Sequence, residues 1–216
     1  VNDGLVGGAI IRGSNFIKSG VGVLRLDGVS VYSGSTSLNG GSLYLSAAGA
    51  LPSGTSLSSN TATVIDLVGN SLTLGSLNGG TKITSSSSGI MMLTVGSNNL
   101  TTSHTGMIED GLGQLSFVKN GTGTMTVTGA NSYSGNTTVN AGILSIGHST
   151  GLGTVLGGTS VSSGGCLQLF GGINVGAESL SLVGVGPYSR GAFYNLSGNN
   201  SFAGEISVVS GVRVTA

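Results

Sequence analysis

The segment GHSTG, residues 147–151, matches the G-x-S-x-G spacing of a nucleophile elbow, with Ser149 in the nucleophile's place and His148 beside it. That chemistry needs a strand that turns sharply into a helix, so that the serine hydroxyl stands exposed at the bend. The residues that follow, TVLGGTSVSSGG, cannot start a helix, and a related segment earlier in the chain, SAAGA, lacks the serine. A turn between strands is the expectation here. Glu109 and Asp110 are the only adjacent acids. On a strand they would point to opposite faces, a poor arrangement for an acid/base pair, and before Gly111 they are expected to be solvated in a turn.

Neither His104 nor His148 has a Cys, His or acid at ligand spacing, so no metal site is expected. The single Cys166 cannot form an intrachain disulfide, and with no cation beside it in sequence it is expected to be a small packed side chain. The G-x-G pairs starting at Gly20 and Gly121 lack the third glycine and the helix of a dinucleotide site, and are expected to be tight turns. Residues 122–128, TGTMTVT, place Thr at every second position. If Met125 and Val127 point inward, Thr122, Thr124, Thr126 and Thr128 form a row of outward hydroxyls. No catalytic, cofactor-binding or metal residue is predicted, and no cofactor.

Charge narrows the classes further. Seven Lys plus Arg balance seven Asp plus Glu among 216 residues, for a formal net charge of zero. Binding to phosphate backbones or anionic lipid draws on Lys and Arg, and this chain offers no basic patch. Nucleic acid is therefore not an expected partner. Uncharged stretches are interrupted by Gly, Ser and Asn, so no membrane insertion of this segment is expected. The first ten residues, VNDGLVGGAI, show no basic region followed by an apolar core, and a mature or excised piece is expected.

The elements that must carry these side chains are short. LRL, LYL, IDL, LTL, MTV, LSI, LQL and LSL each alternate apolar, other, apolar, and each is soon followed by Gly, Asn or Ser. Forty-two glycines and many β-branched residues leave almost no window for a helix. Strands this short suit one side of a coil that stacks on the next. An internal repeat supports that reading. Residues 16–46, FIKSGVGVLRLDGVSVYSGSTSLNGGSLYLS, align without gaps on residues 117–147, FVKNGTGTMTVTGANSYSGNTTVNAGILSIG. Twelve of the 31 positions are identical, among them Phe16/Phe117, Lys18/Lys119, Gly20/Gly121, Tyr32/Tyr133, Thr36/Thr137, Asn39/Asn140 and Gly41/Gly142. The period is 101 residues, giving units of approximately 16–116 and 117–216 within one array over 1–216. In the first copy the positions equivalent to the Thr row are Val21, Val23, Arg25 and Asp27, so a uniform hydroxyl plane of the kind that binds ice is not expected.

Residues 117–147 resemble the autotransporter-associated β-strand repeat, whose pattern runs approximately L-x-K-x-G-x-G-T-L-T-L-x-G-x-N-x-Y-x-G-x-T-x-V-x-x-G-x-L; residues 16–46 resemble it with departures. The resemblance implies a right-handed parallel β-helix without catalytic residues, part of the passenger of a protein exported to the bacterial cell surface. At about 20 to 24 residues per coil the chain makes roughly nine to eleven coils. The expected function is a non-catalytic structural scaffold, a stalk, adhesin or fibre segment located outside the cell. Its expected partners are its own kind, through end-to-end stacking or continuation into further repeats, since uncapped coil ends leave backbone groups unpaired at VNDGLVGGAI and GVRVTA. Contact with a surface polysaccharide or a host is a further expectation. The enzymatic alternative, a polysaccharide-degrading β-helix, requires several of Asp66, Lys82, Glu109, Asp110, Glu178, Arg190 and Glu205 to converge on one groove. A third reading is a sugar-binding adhesin using surface tyrosines such as Tyr44 and Tyr188.

Overall fold

The computed structural model describes residues 11–216. Inward Leu, Ile and Val at alternate positions, with Gly and Asn at the bends, give strands of two to six residues, and every strand pairing among them is parallel. Parallel neighbours that lie one coil apart in sequence define a β-solenoid of about ten turns. Among the described residues helix is confined to a single short turn, Pro187–Ser189. No helix of the described residues is long and apolar enough to cross a membrane.

Each coil passes over three faces. The first is an unbroken ladder of ten strands running from Phe16–Lys18 to Val214–Thr215. Its register steps from Phe16 through Thr36, Leu57, Leu77, Thr102, Met125, Leu144, Leu167 and Phe193 to Val214. Those nine steps give an average coil of about 22 residues, inside the usual range of solenoid repeats. At about 4.8 Å between paired strands, nine steps span about 43 Å. The second face carries Val23–Leu26, Gly41–Leu45, Thr63–Asp66 and Lys82–Thr84, and resumes near the end with Asn174–Val175 and Ser201–Phe202. The third face holds seven strands between Leu72–Leu74 and Ile206–Ser210.

Where the second face lacks strands, side chains carry the ladder. Asn131 is buried; its Oδ1 accepts from the Ile108 N–H at 2.9 Å and its Nδ2 donates to the Gly151 carbonyl at 2.8 Å, so one amide joins three successive coils. This is how a narrow solenoid satisfies backbone groups without a strand. Inside, stacked rows such as Leu57–Leu77 and Met125–Leu144–Leu167 form a continuous apolar core. Trp is absent from the sequence, consistent with an interior only a few side chains wide.

The coil at the C-terminal end is different. All five residues of Ile206–Ser210 are exposed, and Val208, Val209 and Val214 present apolar surface with no coil stacked beyond them among the described residues. The N-terminal segment of the uncapped-end expectation, VNDGLVGGAI, lies outside the described residues.

Candidate functional surfaces

Four of the seven residues that an enzymatic reading needs lie close together: Asp66, Lys82 and Glu109 on the second face, and Asp110 at the bend that follows. Arg25, Tyr44, Asp66 and Thr84 form one line there, each in register with the next. Lys82 Nζ lies 2.7 Å from Glu109 Oε1, which also accepts from Thr84 Oγ1 at 2.7 Å, and Arg25 Nε donates to Asp27 at 2.8 Å. The carboxylates serve the backbone. Asp66 is buried and its Oδ1 accepts from the N–H groups of Val68 and Ser86, both at 2.9 Å. Asp110 accepts from the N–H groups of Leu115 at 2.7 Å and Ser134 at 3.0 Å. The expectation that Glu109 and Asp110 are solvated is therefore corrected: both are half-buried, one in an ion pair and the other tying two coils together. Glu178, Arg190 and Glu205 lie at least two coils further along and join no such cluster. A hydrolytic pair needs one carboxylate free to take a proton and another facing the same bond. Here Asp66 and Asp110 are committed to holding bends, and Glu109 to Lys82 and Thr84.

The Thr row lies where alternation places it. Met125 and Val127 are buried, and Thr122, Thr124, Thr126 and Thr128 face outward from the ten-stranded face. The comparison with Val21, Val23, Arg25 and Asp27 does not test that face, because Val23–Leu26 belongs to the second face. The stacked neighbours of the row are instead Ser103, in register with Thr126, and Ser145 beyond it. Outward from the same ladder stand Ser37, Ser58 and Asn78, so this face is uncharged and mixed in side-chain length.

The remaining reactive types are placed by packing. Ser149 and His148 sit in a bend: Ser149 Oγ accepts from the Asn174 N–H at 3.1 Å, His148 Nδ1 accepts from the Thr150 N–H at 3.1 Å, and no helix follows. Cys166 is buried, and burial pushes its thiol up to about 11. Tyr188 stands exposed on the short helical turn, whereas Tyr44 is half-buried in the charged line. Among the described residues no group of three or more His, Cys, Asp and Glu side chains could hold a metal ion.

Two buried groups escape a reading based on motifs. His104 is fully buried between Gly79 and Val127 in the ladder, and neither ring nitrogen makes a hydrogen bond of ordinary geometry among the described residues; burial draws it down to about 4, against a weaker upward pull from the Gly79 backbone. Glu178 is 3% exposed and is held by a hydrogen bond from Thr159 Oγ1; burial raises its carboxyl to about 7. His104 ends the strand Thr102–His104, where period 2 alone would have marked it as inward, whereas Glu178 lies in the bend before Ser179–Val183, which carries no such signal.

The shared residues of the two copies form a module. Phe16 packs against Tyr32 with ring centroids 6.0 Å apart, and Phe117 against Tyr133 at 6.4 Å. Tyr32 bonds Thr36, and Tyr133 Oη lies 2.7 Å from Thr137 Oγ1, all of it buried. Lys18 and Lys119 point inward, and each ammonium donates to three backbone carbonyls at a corner. The copies differ in orientation. Phe16–Lys18 lies on the ten-stranded face, but Gln114–Lys119, which carries Phe117, lies on the third. From Phe16 the ladder completes four coils at Thr102 and then crosses the second face at Ile108 before reaching Phe117. One repeat thus advances four and two-thirds coils, and the second copy is turned by a third of the circumference.

Residues 16–45 and 117–146 match the family model described as Passenger-associated-transport-repeat. Both segments are thus similar to passenger-associated-transport repeats. The chain is also similar to the adhesin BmaC autotransporter of Brucella suis biovar 1 (strain 1330), with 40% identity over 141 residues. That match covers 63% of this chain and 4% of the relative, so the chain spans a small fraction of the length of the curated protein it resembles. No solved structure matches.

Proposed function

We propose that this chain is a structural β-solenoid segment of an autotransporter passenger, located at the bacterial surface or outside the cell, which extends and displays rather than catalyses. The observation that carries the reading is the commitment of its acids: in a ten-strand parallel ladder, Asp66 and Asp110 hold bends and Glu109 is paired with Lys82. An adhesin autotransporter as a relative supports surface adhesion as the role of the parent protein, with this segment as its spacer. The exposed apolar coil at Ile206–Ser210 supports a second element of the reading, pairing of that open edge with another coil, from the same chain or a second copy.

Small-angle scattering and analytical ultracentrifugation test both elements. The expected particle is a rod that lengthens with concentration by whole multiples of about 48 Å, ten ladder spacings per copy. A compact, globular scattering profile would sink the scaffold reading; a rod that remains monomeric at high concentration, with Ile206–Ser210 protected from amide exchange, would sink the pairing. Incubation with a panel of neutral and acidic polysaccharides is expected to release no new reducing ends or unsaturated products. Cleavage that is abolished by Glu109→Gln would restore the enzymatic alternative.

A further inference from the structure

Lys18 and Lys119 occupy strand positions that alternation assigns to the core, and they are only 7% and 1% exposed. Each side chain reaches the corner where its coil bends. Lys18 Nζ donates to the carbonyls of Ser19 at 3.2 Å, Gly20 at 2.9 Å and Gly40 at 3.0 Å. Lys119 Nζ donates to those of Asn120 at 2.8 Å, Gly121 at 2.9 Å and Ala141 at 3.2 Å. In both copies two acceptors belong to the lysine's own corner and the third lies 22 residues on, at the corner one coil away. An ammonium has three N–H donors, and all three are used.

Among the described residues the ion pairs are Arg25–Asp27 and Lys82–Glu109, so no carboxylate balances either buried ammonium. A buried cation without a counter-ion is costly unless hydrogen bonds replace its hydration shell. Burial draws Lys119 down to about 8 and lowers Lys18 as well. The carbonyls work in the other direction. A neutral amine would have two N–H groups and a lone pair for three oxygens, leaving one oxygen facing the lone pair.

We propose that this corner of the repeat is a monovalent-cation cage of three backbone carbonyls, which the chain fills with its own lysine ammonium. The glycine that follows makes the room. Gly41 and Gly142 have φ of +67° and +68°; a Cβ at Gly41 would stand 2.8 Å from Lys18 Nζ, and one at Gly142 would stand 2.5 Å from the carbonyl oxygens of Gly121 and Gly123. The same cage recurs on two different faces of the solenoid, so it belongs to the module and not to one place on the rod. It ties adjacent coils at the start of each repeat.

The test removes the side chain and offers the cation from solution, using the 216-residue chain. Lys119→Ala is expected to lower the folded-to-unfolded ratio at pH 7 by about tenfold or more, as charge-assisted hydrogen bonds are lost. Ammonium or potassium chloride is expected to restore the urea midpoint with a saturating dependence, and tetramethylammonium chloride at equal ionic strength to leave it unchanged. Lys82→Ala, which loses only a half-exposed ion pair, should show no such dependence. If Lys119→Ala does not fold, Lys18→Ala repeats the test at the more accessible corner. Acetylation of the wild-type chain with an N-hydroxysuccinimide ester gives an independent readout, with Lys82 expected to react at least about tenfold faster than Lys119. A stability loss that no cation repairs, no loss at all, or equal labelling of Lys82 and Lys119 each overturns the cage.

Discussion

The two buried titratable groups, His104 and Glu178, make opposite contributions to stability as pH changes, and single variants should separate them. His104 falls from its ordinary 6.5 to about 4 in the folded chain, so the unfolded state binds more protons between those values, and folding weakens as pH drops through them. Glu178 rises from 4.5 to about 7, so the folded state binds more protons between those values, and folding strengthens as pH drops through them. Between pH 7 and 4.5 each contribution integrates to about 2–3 kcal/mol, with opposite sign. These two groups therefore nearly cancel in the wild-type chain. His104→Leu removes the imidazole, and relative to wild type it should gain about 2–3 kcal/mol of stability on going from pH 7 to 4.5. Glu178→Gln keeps a partner for Thr159 and should lose a similar amount over the same interval. Urea denaturation followed by circular dichroism at four pH values measures both, and comparison with wild type at each pH removes the contribution of every shared group. If His104→Leu and wild type have parallel profiles, the buried neutral imidazole is refuted.

Four further outcomes follow from the packing. Tyr133→Phe leaves the buried Thr137 hydroxyl without the phenol 2.7 Å away and should cost about 1–2 kcal/mol in thermal or urea denaturation. Gly142→Ala should destabilise by more than about 2 kcal/mol, because its Cβ meets two carbonyls. Gly164→Ala, also at positive φ but with open space around it, should cost only about 1 kcal/mol in the same assay. Cys166, buried with its thiol raised to about 11, should resist iodoacetamide at pH 8 in the folded chain and react at the rate of a free thiol in urea.

The solenoid was legible because its determinants are local. Triplets such as LYL and LQL expose their period of two in any window, and each became a strand with its two leucines buried. The Phe, Tyr and Thr identities of the repeat pack together because Phe16 to Thr36, and Phe117 to Thr137, each span a single coil of chain. The position of the charges was not legible. Arg25, Tyr44, Asp66 and Thr84 each lie a whole coil apart along the chain, and only register makes them neighbours. The lysine corner lay in view as an identity, but its acceptors are backbone atoms, which carry no sequence signal.

The turned second copy has the widest consequence for reading such chains. The repeat length is not a whole multiple of the coil length, so one repeat advances a fractional number of turns, and residues that align in sequence need not align along the rod. Thr126 is matched by Arg25 in the alignment, yet its structural neighbours are Ser103 and Ser145. Surface chemistry therefore follows the register of adjacent coils, whereas internal chemistry, the aromatic pair and the lysine corner, follows the repeat. Inserting two residues into the bend at Ser87–Gly89 tests that separation, because the bend lies between the two copies of the module and outside the strands on either side. The expected result is a chain that keeps the ladder, with Lys119 still slow to acetylate. Fast acetylation of Lys119 in a chain whose circular dichroism is unchanged would show that the corner depends on coil phase, and the division between surface and interior would fail.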